Sequence, residues 1–393
     1  MKTRRPSLLF ILGALSAIGP FSIDMYLPGI PQIAKSLNTD LVRVGYSLTS
    51  YFIGISVGQL IYGPLTDRFG RKKPLLFGLT FYILASLGCV FALDIYTLVG
   101  LRVLQALGGC VGMIIGRAIV RDLFDPSQTA KIFSLLMLMI GVAPVIAPTV
   151  GGMVAASLGW QALFVILTLF GIFLWIVVYF FLPESKGPDT SVSLKLQKIF
   201  ARYVSLFKNQ DFLPFALASA ALSSGLYAYI AGSPFIYMEI FGFNEREYGW
   251  IYAVNALGMI SGSQLNHLLL KKWSSVKVSL ILAYLQVLCG GFLVLFTSSL
   301  FSFNPVIFKI SFFILVFLFL TTHGILSPNT SALAINPMGA VAGTASSLMG
   351  FIQMVFGSLA TAIVSFFHSA SAMPMAQVMI GFALLGTLFL WFG

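Results

Sequence analysis

The sequence predicts an all-α membrane protein: twelve transmembrane helices arranged as two six-helix bundles. Three observations carry this: the apolar composition, a series of apolar runs of membrane-spanning length, and one basic loop that divides them in two. Of 393 residues, 58% are hydrophobic and 9% charged, where a soluble domain carries about 25% charged residues. The mean hydropathy is +0.96. Surface-to-volume scaling would leave much of that apolar surface exposed in water, so the solvent must be lipid.

A helix needs about 20 apolar residues to cross the hydrocarbon core. The first half supplies Leu8–Ile30, Gly45–Leu65, Leu75–Leu93, Ile95–Ile119, Ile132–Leu158 and Ala162–Leu182. The second half supplies Phe212–Phe241, Tyr248–Leu270, Val276–Ser298, Pro305–Leu326, Val341–Phe367 and Ala372–Phe392. The nearly continuous run from Phe77 to Val120 is divided at Asp94, where two antiparallel helices can turn tightly. The basic start of the chain, followed by an apolar run, has the look of a signal peptide. The run continues into Pro20, Asp24 and Pro28 with no small-residue cleavage site, so it reads as a retained first helix. Cys89, Cys110 and Cys289 stand singly in apolar runs, a packing pattern rather than a disulfide or metal pattern.

Lysine and arginine orient the spans. With both termini inside, eighteen fall in cytoplasmic segments, against Lys35, Arg43, Arg246 and Lys309 outside and Arg102 within a span. The net charge of +11 is thereby explained by loops facing an anionic leaflet, without nucleic acid as a partner. The longest loop, Pro183 to Asp211, contains a basic stretch from Leu194 to Lys208 that suits a helix lying on the membrane surface. It sets the expected division: residues 1–183 as one bundle, 184–211 as linker, 212–393 as the second bundle. A faint repeat agrees, since Arg71-Lys72 recurs as Lys271-Lys272 and Pro28 as Pro234.

Most acidic residues lie in loops or at span ends, but Asp24 lies inside the first span and Arg102 inside the fourth. Both fall about 10 Å below the outer surface at 1.5 Å per residue. An unpaired charge there costs about 3 kcal/mol, so both are expected to face an interior cavity and to feel each other. A static ion pair would satisfy that. A protonation switch would also, because burial and a nearby cation act on a carboxyl in opposite senses. His323, among Thr321 and Thr322, is an alternative proton relay or simply a hydrogen-bonded residue. The corresponding segment of the second half, Ile230-Ala-Gly-Ser-Pro234, has no acid.

Three motifs follow. Between spans two and three stands Gly63-Pro-Leu-Thr-Asp67-Arg68-Phe-Gly70-Arg71-Lys72-Lys73-Pro-Leu75. Gly63 permits close packing, Gly70 a tight turn, and Asp67 can cap a helix or pair with an arginine, with Arg121 and Asp122 as candidate partners. Span four carries Arg102-Val-Leu-Gln105-Ala106-Leu-Gly108-Gly109, and span five carries Pro144 and Ala147-Pro148-Thr-Val-Gly151-Gly152. Two prolines four apart bend a helix and the glycines admit a neighbour. In this order and topology the motifs resemble those of the major facilitator superfamily: its loop signature, its proton-linked arginine motif and its antiporter motif. Ala106 and Ala147 replace the usual glycines.

Asp24-Met-Tyr-Leu-Pro28-Gly-Ile-Pro31, Pro328-Asn-Thr-Ser-Ala-Leu-Ala334 and Ala342-Gly343-Thr-Ala-Ser-Ser-Leu-Met-Gly350 narrow the resemblance to the branch named for bicyclomycin and chloramphenicol efflux. The resemblance covers essentially the whole chain. It implies the major facilitator fold in a bacterial inner membrane and drug:proton antiport by alternating access. It further implies a cytoplasmic latch at the loop signature and a proton carried by Asp24. The proton gradient would supply the energy, with no cofactor. The expected partners are protons, a small amphipathic substrate and the lipid bilayer, and nothing calls for more than a monomer.

Phe21, Tyr26, Tyr51, Gln59, Tyr227, Tyr229, Asn255 and Gln353 fall near the depth of Asp24 and are expected to line the cavity, though tyrosines also populate interfacial belts. A proton-coupled exporter or importer of one metabolite or amino acid remains the alternative. A membrane enzyme is disfavoured by the absence of HExxH or a Ser–His set at helical spacing, and a channel by the absence of recurring polar stripes.

Overall fold

A computed structural model describes residues 5–124, 126–190, 196–298, 304–367 and 371–393. Lys2, Arg4 and Leu194 lie outside these, as does the side chain of Arg121. Among the described residues every regular element is helical. The first six spans are formed by α1 (Arg5–Asp24) with its continuation α2 (Ile30–Ser36), α3 (Leu41–Phe69), α4 (Lys72–Val90), α5 (Ile95–Leu123), α6 (Pro126–Leu158) and α7 (Gln161–Phe181). After the short α8 (Leu196–Phe207) come α9 (Leu213–Pro234), α10 (Glu245–Leu269), α11 (Ser275–Thr297), α12 (Pro305–Ile335), α13 (Ala342–Phe366) and α14 (Met373–Trp391).

Sequence explains where these helices start and stop. Asp94 caps α5 by accepting from the Thr97 amide at 2.9 Å, at the expected division between spans three and four. Its own carboxyl is held below the ordinary carboxylate range by the Thr97 hydroxyl and amide. Asn244 and Glu247 form a capping box at the start of α10. The first span is not one helix as expected. Pro28 has no N–H to donate to the Asp24 carbonyl, so α1 ends at Asp24 and a 3₁₀ turn, Leu27–Gly29, leads into α2. The tenth span runs on to Ile335, past the expected Leu326, with Pro328 inside the helix.

Eleven of these spans are long and apolar enough to cross a membrane by composition alone. The exception is α10, the expected eighth span. It is 25 residues long, but its buried face carries Tyr248, Tyr252, Asn255 and Asn266. Its apolar residues Trp250, Val254, Leu257, Leu265 and Leu268 lie on the exposed face. A helix with polar groups inward and apolar groups outward is what a lipid-facing wall of an internal cavity needs.

The first six spans meet the last six along two long seams, α3 with α13 and α6 with α10. The first is crossed by Thr49 and Thr361, whose hydroxyls lie 3.0 Å apart. α8 packs Tyr203 and Leu206 against α9 and α13, and the Tyr203 hydroxyl donates to the Leu60 carbonyl of α3 at 3.4 Å.

Candidate functional site

A cavity of about 290 Å³ opens between the two sets of spans. Its wall is mostly apolar: Ile23 and Pro20 from α1, Phe52 and Ile55 from α3, Pro144 from α6, and Leu320 from α12. Met113, Met259 and Met354 line it from three different helices. Methionine is flexible and polarizable, so such a wall adapts to ligands of varied shape. The polar groups are few: Asp24, Tyr227, Tyr229, Tyr252 and Asn255.

Asp24 is placed by the break in the first span. It is the last residue of α1 and is only 4% exposed. Its carboxylate accepts a 2.9 Å hydrogen bond from the Tyr252 hydroxyl of α10, so the bond crosses from the first six spans to the last six. The Tyr252 ring stacks on Tyr229 at 5.4 Å, and the Tyr229 hydroxyl accepts from Asn255 Nδ2 at 2.9 Å. Tyr248, one turn from Tyr252, pairs its hydroxyl with Ser233 at 2.9 Å.

Arg102 is fully buried but does not join Asp24, which corrects the expected pairing. Its guanidinium donates to the Ser22 carbonyl at 3.0 Å and to Gln105 Oε1 at 2.6 Å, and Gln105 donates onward to Ser86. The rings of Tyr51 and Tyr26 lie 4.2 and 4.6 Å from its centre. Two cation–π faces and two charge-assisted bonds from Nη1 hold the ion without a carboxylate. The reason is helical phase: Ser22 and Asp24 are about 200° apart around α1, so one faces α5 while the other faces α10. Nε and Nη2 of Arg102 have no hydrogen-bond partner among the described residues.

The loop signature forms a compact network at the linker end. Arg71 bonds Asp67 and Asp122 at 2.8 Å each, and also reaches the Thr66 hydroxyl at 3.1 Å. Burial disfavours its charge, but the two aspartates outweigh this and hold its pKa above the ordinary arginine value. Gly70 sits at φ +82°, a left-handed turn that favours glycine, so that Glu184 can cap the start of α4 through the Arg71 and Lys72 amides. Arg68 donates to the Thr190 carbonyl at 2.6 Å. Asp67 thus pairs with Arg71, and Asp122 joins it through the same guanidinium, while the side chain of Arg121, the other candidate, lies outside the described residues. Gly63 faces Ser347 of α13 across the first seam.

In α6, Pro144 lines the cavity and the residues beyond it close the second seam. Gly151 packs on the Met25 carbonyl within the first six spans, while a side chain at Gly152 would strike the Glu245 carbonyl of α10 across the seam. The Pro148 carbonyl lies against Gly249 of α10 in the same way. Gln32 reinforces this end, donating to the Ala155 carbonyl at 3.0 Å and to Glu245 Oε1 at 3.1 Å.

Of the eight expected lining residues, Tyr227, Tyr229 and Asn255 line the cavity. The other five are placed elsewhere, because depth alone does not fix which way a helix face points. Tyr26 and Tyr51 cover Arg102. Phe21 packs on Phe170 at 5.6 Å, Gln59 packs against Gly350, and Gln353 donates to Ser219 at 2.9 Å. His323 is buried and lies outside the cavity wall. Sequence reasoning missed Tyr252, Phe52, Met113, Met259, Met354 and Glu184. Tyr252 was within reach: it stands one turn before Asn255, on the same face of a conspicuously polar span.

A family model described as the Major Facilitator Superfamily matches residues 10–361. The uncharacterised MFS-type transporter YdgK of Bacillus subtilis is 33% identical over 98% of this chain and 94% of its own length. A bicyclomycin resistance protein homolog of Haemophilus influenzae is 30% identical over 96% and 94%. A chloramphenicol resistance protein of Pseudomonas aeruginosa is 27% identical over 93% and 85%. Among solved structures, a D-xylose–proton symporter superposes with a TM-score of 0.76 at 14% identity, covering 98% of this chain and 97% of that one.

Proposed function

The chain belongs to the major facilitator superfamily, and from that premise we propose that it exports small amphipathic drugs or metabolites in exchange for protons by alternating access. The observation that carries this reading is Asp24: a buried carboxylate set into an otherwise apolar, methionine-lined cavity between the two sets of spans. Such a group can hold a proton in one state and release it in the other, while the wall tolerates many ligands. Relatives named for bicyclomycin and chloramphenicol resistance support drugs as cargo.

In this reading residues 1–183 and 212–393 move as two bodies about the seams, tied by 184–211. Both termini and the linker face the cytoplasm of a bacterial cell, and the seal at Gly152 and Gly249 faces outward. Asp24 carries the proton. Arg102 shapes the interior of the first body around Ser22. The network of Asp67, Arg71 and Asp122 latches the cytoplasmic side.

The test uses the protein in sealed vesicles containing a pH-sensitive dye. Imposing a proton gradient and adding a panel of amphipathic drugs should move protons only when a transported drug is present. Drug movement with no proton counterflow would leave a facilitator and overturn the antiport.

A further inference from the structure

Resting on that reading, we propose that Tyr252 is the positioning residue that makes the exchange obligatory. Its hydroxyl locks the empty, deprotonated carrier closed on the outer side, and either cargo breaks the lock.

The bond from Tyr252 to Asp24 joins the two sets of spans at 2.9 Å. Neither end can swing away at no cost. Asp24 ends a helix, and Tyr252 is held between Tyr229 at 5.4 Å and Tyr248 at 6.0 Å. Both residues are 4% exposed. Directly beyond the bond lies the seal, where Gly152 meets the Glu245 carbonyl and Gly249 meets the Pro148 carbonyl. Moving the first six spans away from α10 at the seal therefore also breaks this bond.

Other side-chain bonds across the seams do not sense the cavity. Thr49–Thr361 is neutral, and Thr149 reaches the Gly249 carbonyl at 3.4 Å. Gln32–Glu245 lies beyond the seal rather than in the cavity. Around Asp24 the facing titratable groups among the described residues are Tyr248 and Tyr252 from α10, Tyr227 and Tyr229 from α9 and Tyr51 from α3. Arg102 from α5 is held behind the Ser22 carbonyl. The lining residues of α6 and α12, Ile140, Gly141, Pro144 and Leu320, carry no charge. Asp24 is thus the charge that Tyr252 reads.

The consequence follows from bond strength. A phenol donates to a carboxylate about twice as strongly as to a neutral carboxyl. Protonation of Asp24 therefore weakens the lock, and a substrate wedged between Asp24 and the Tyr229–Tyr252 stack removes it. These are the two crossings an exchanger needs. The crossing it must avoid, with neither cargo bound, leaves the lock intact. Losing the bond should raise the population of outer-open, empty protein about ten-fold.

Tyr252→Phe keeps the ring stack and removes the hydroxyl. In dye-loaded vesicles this variant should leak protons without substrate, several-fold above wild type, and the leak should vanish in Asp24→Asn/Tyr252→Phe because no group then carries the proton. A second measurement reads the lock without any transport. Spin labels on the outer ends of α2 and α10 should separate as the pH falls in the wild-type background, and should be apart at all pH values in Tyr252→Phe. If Tyr252→Phe couples as tightly as wild type and its labels still respond to pH, the lock is overturned, while an inactive Asp24→Asn keeps the antiport reading. If Asp24→Asn itself still exchanges drug for protons, that reading fails and the lock falls with it.

Discussion

The two sets of six spans share an architecture but divide the chemistry unequally. The first set holds the intramembrane charges, Asp24 and Arg102, and the ionic latch of Asp67, Arg71 and Asp122. The matching places in the second set carry Ile230-Ala-Gly-Ser-Pro234 and Lys271-Lys272. Its buried polar groups are neutral: the stacked Tyr229 and Tyr252, Asn255, and the reciprocal amide pair of Asn266 and Asn329 at 2.8 Å. The difference teaches a division of labour. One half changes its charge, and the other presents a fixed, uncharged donor against which that change is felt. An acid on both faces would put like charges across the cavity, and desolvation would work against both.

The most forceful way to break the comparison is to prop the seam apart. Gly152→Leu has no room against the Glu245 carbonyl. It should abolish transport while leaving each six-helix body folded, seen as loss of drug efflux with an unchanged circular dichroism spectrum. Next comes Arg102→Ala, which empties a site bounded by Tyr26, Tyr51 and Gln105. It should cost about 3–5 kcal/mol, as large-to-small core substitutions do, read as a fall in the thermal unfolding midpoint.

A smaller effect is expected at the latch. Arg71→Ala removes the bonds to Asp67 and Asp122 and should cost about 2 kcal/mol. Lys271→Ala, the matching position in the second set, should change little, and an equal loss at both would remove the asymmetry. The smallest effect concerns Asp94, whose ionised carboxylate caps α5. Its folded pKa is depressed, so its contribution is present above the ordinary carboxylate range and lost as the pH falls through the folded value. Asp94→Ala should therefore unfold slightly earlier than wild type at neutral pH, and the gap should close in acid.

Much of this arrangement was legible in the sequence, because lipid imposes a strong rule. Any span must satisfy its own backbone, so apolar length and basic loops report the helices directly. The loop signature likewise pointed to a turn at Gly70, which sits at φ +82°, and to an arginine partner for Asp67, which is Arg71. What stayed hidden was direction. Asp24 and Arg102 share a depth, and depth suggested a pair. The two-residue step from Ser22 to Asp24 turned them onto different faces. The polar α10 was legible as a span, Tyr248–Leu270, but its composition did not say which of its residues point inward. Glu184 escaped because a cap supplied by a residue more than a hundred positions away leaves no local signal.

The central claim is that Asp24 exchanges its proton for substrate, and purified protein in weakly buffered detergent tests it most directly. A transported drug added to the wild type should release protons into the medium. Asp24→Asn should bind without releasing any. Equal release from both proteins would contradict the account and move the proton site away from Asp24.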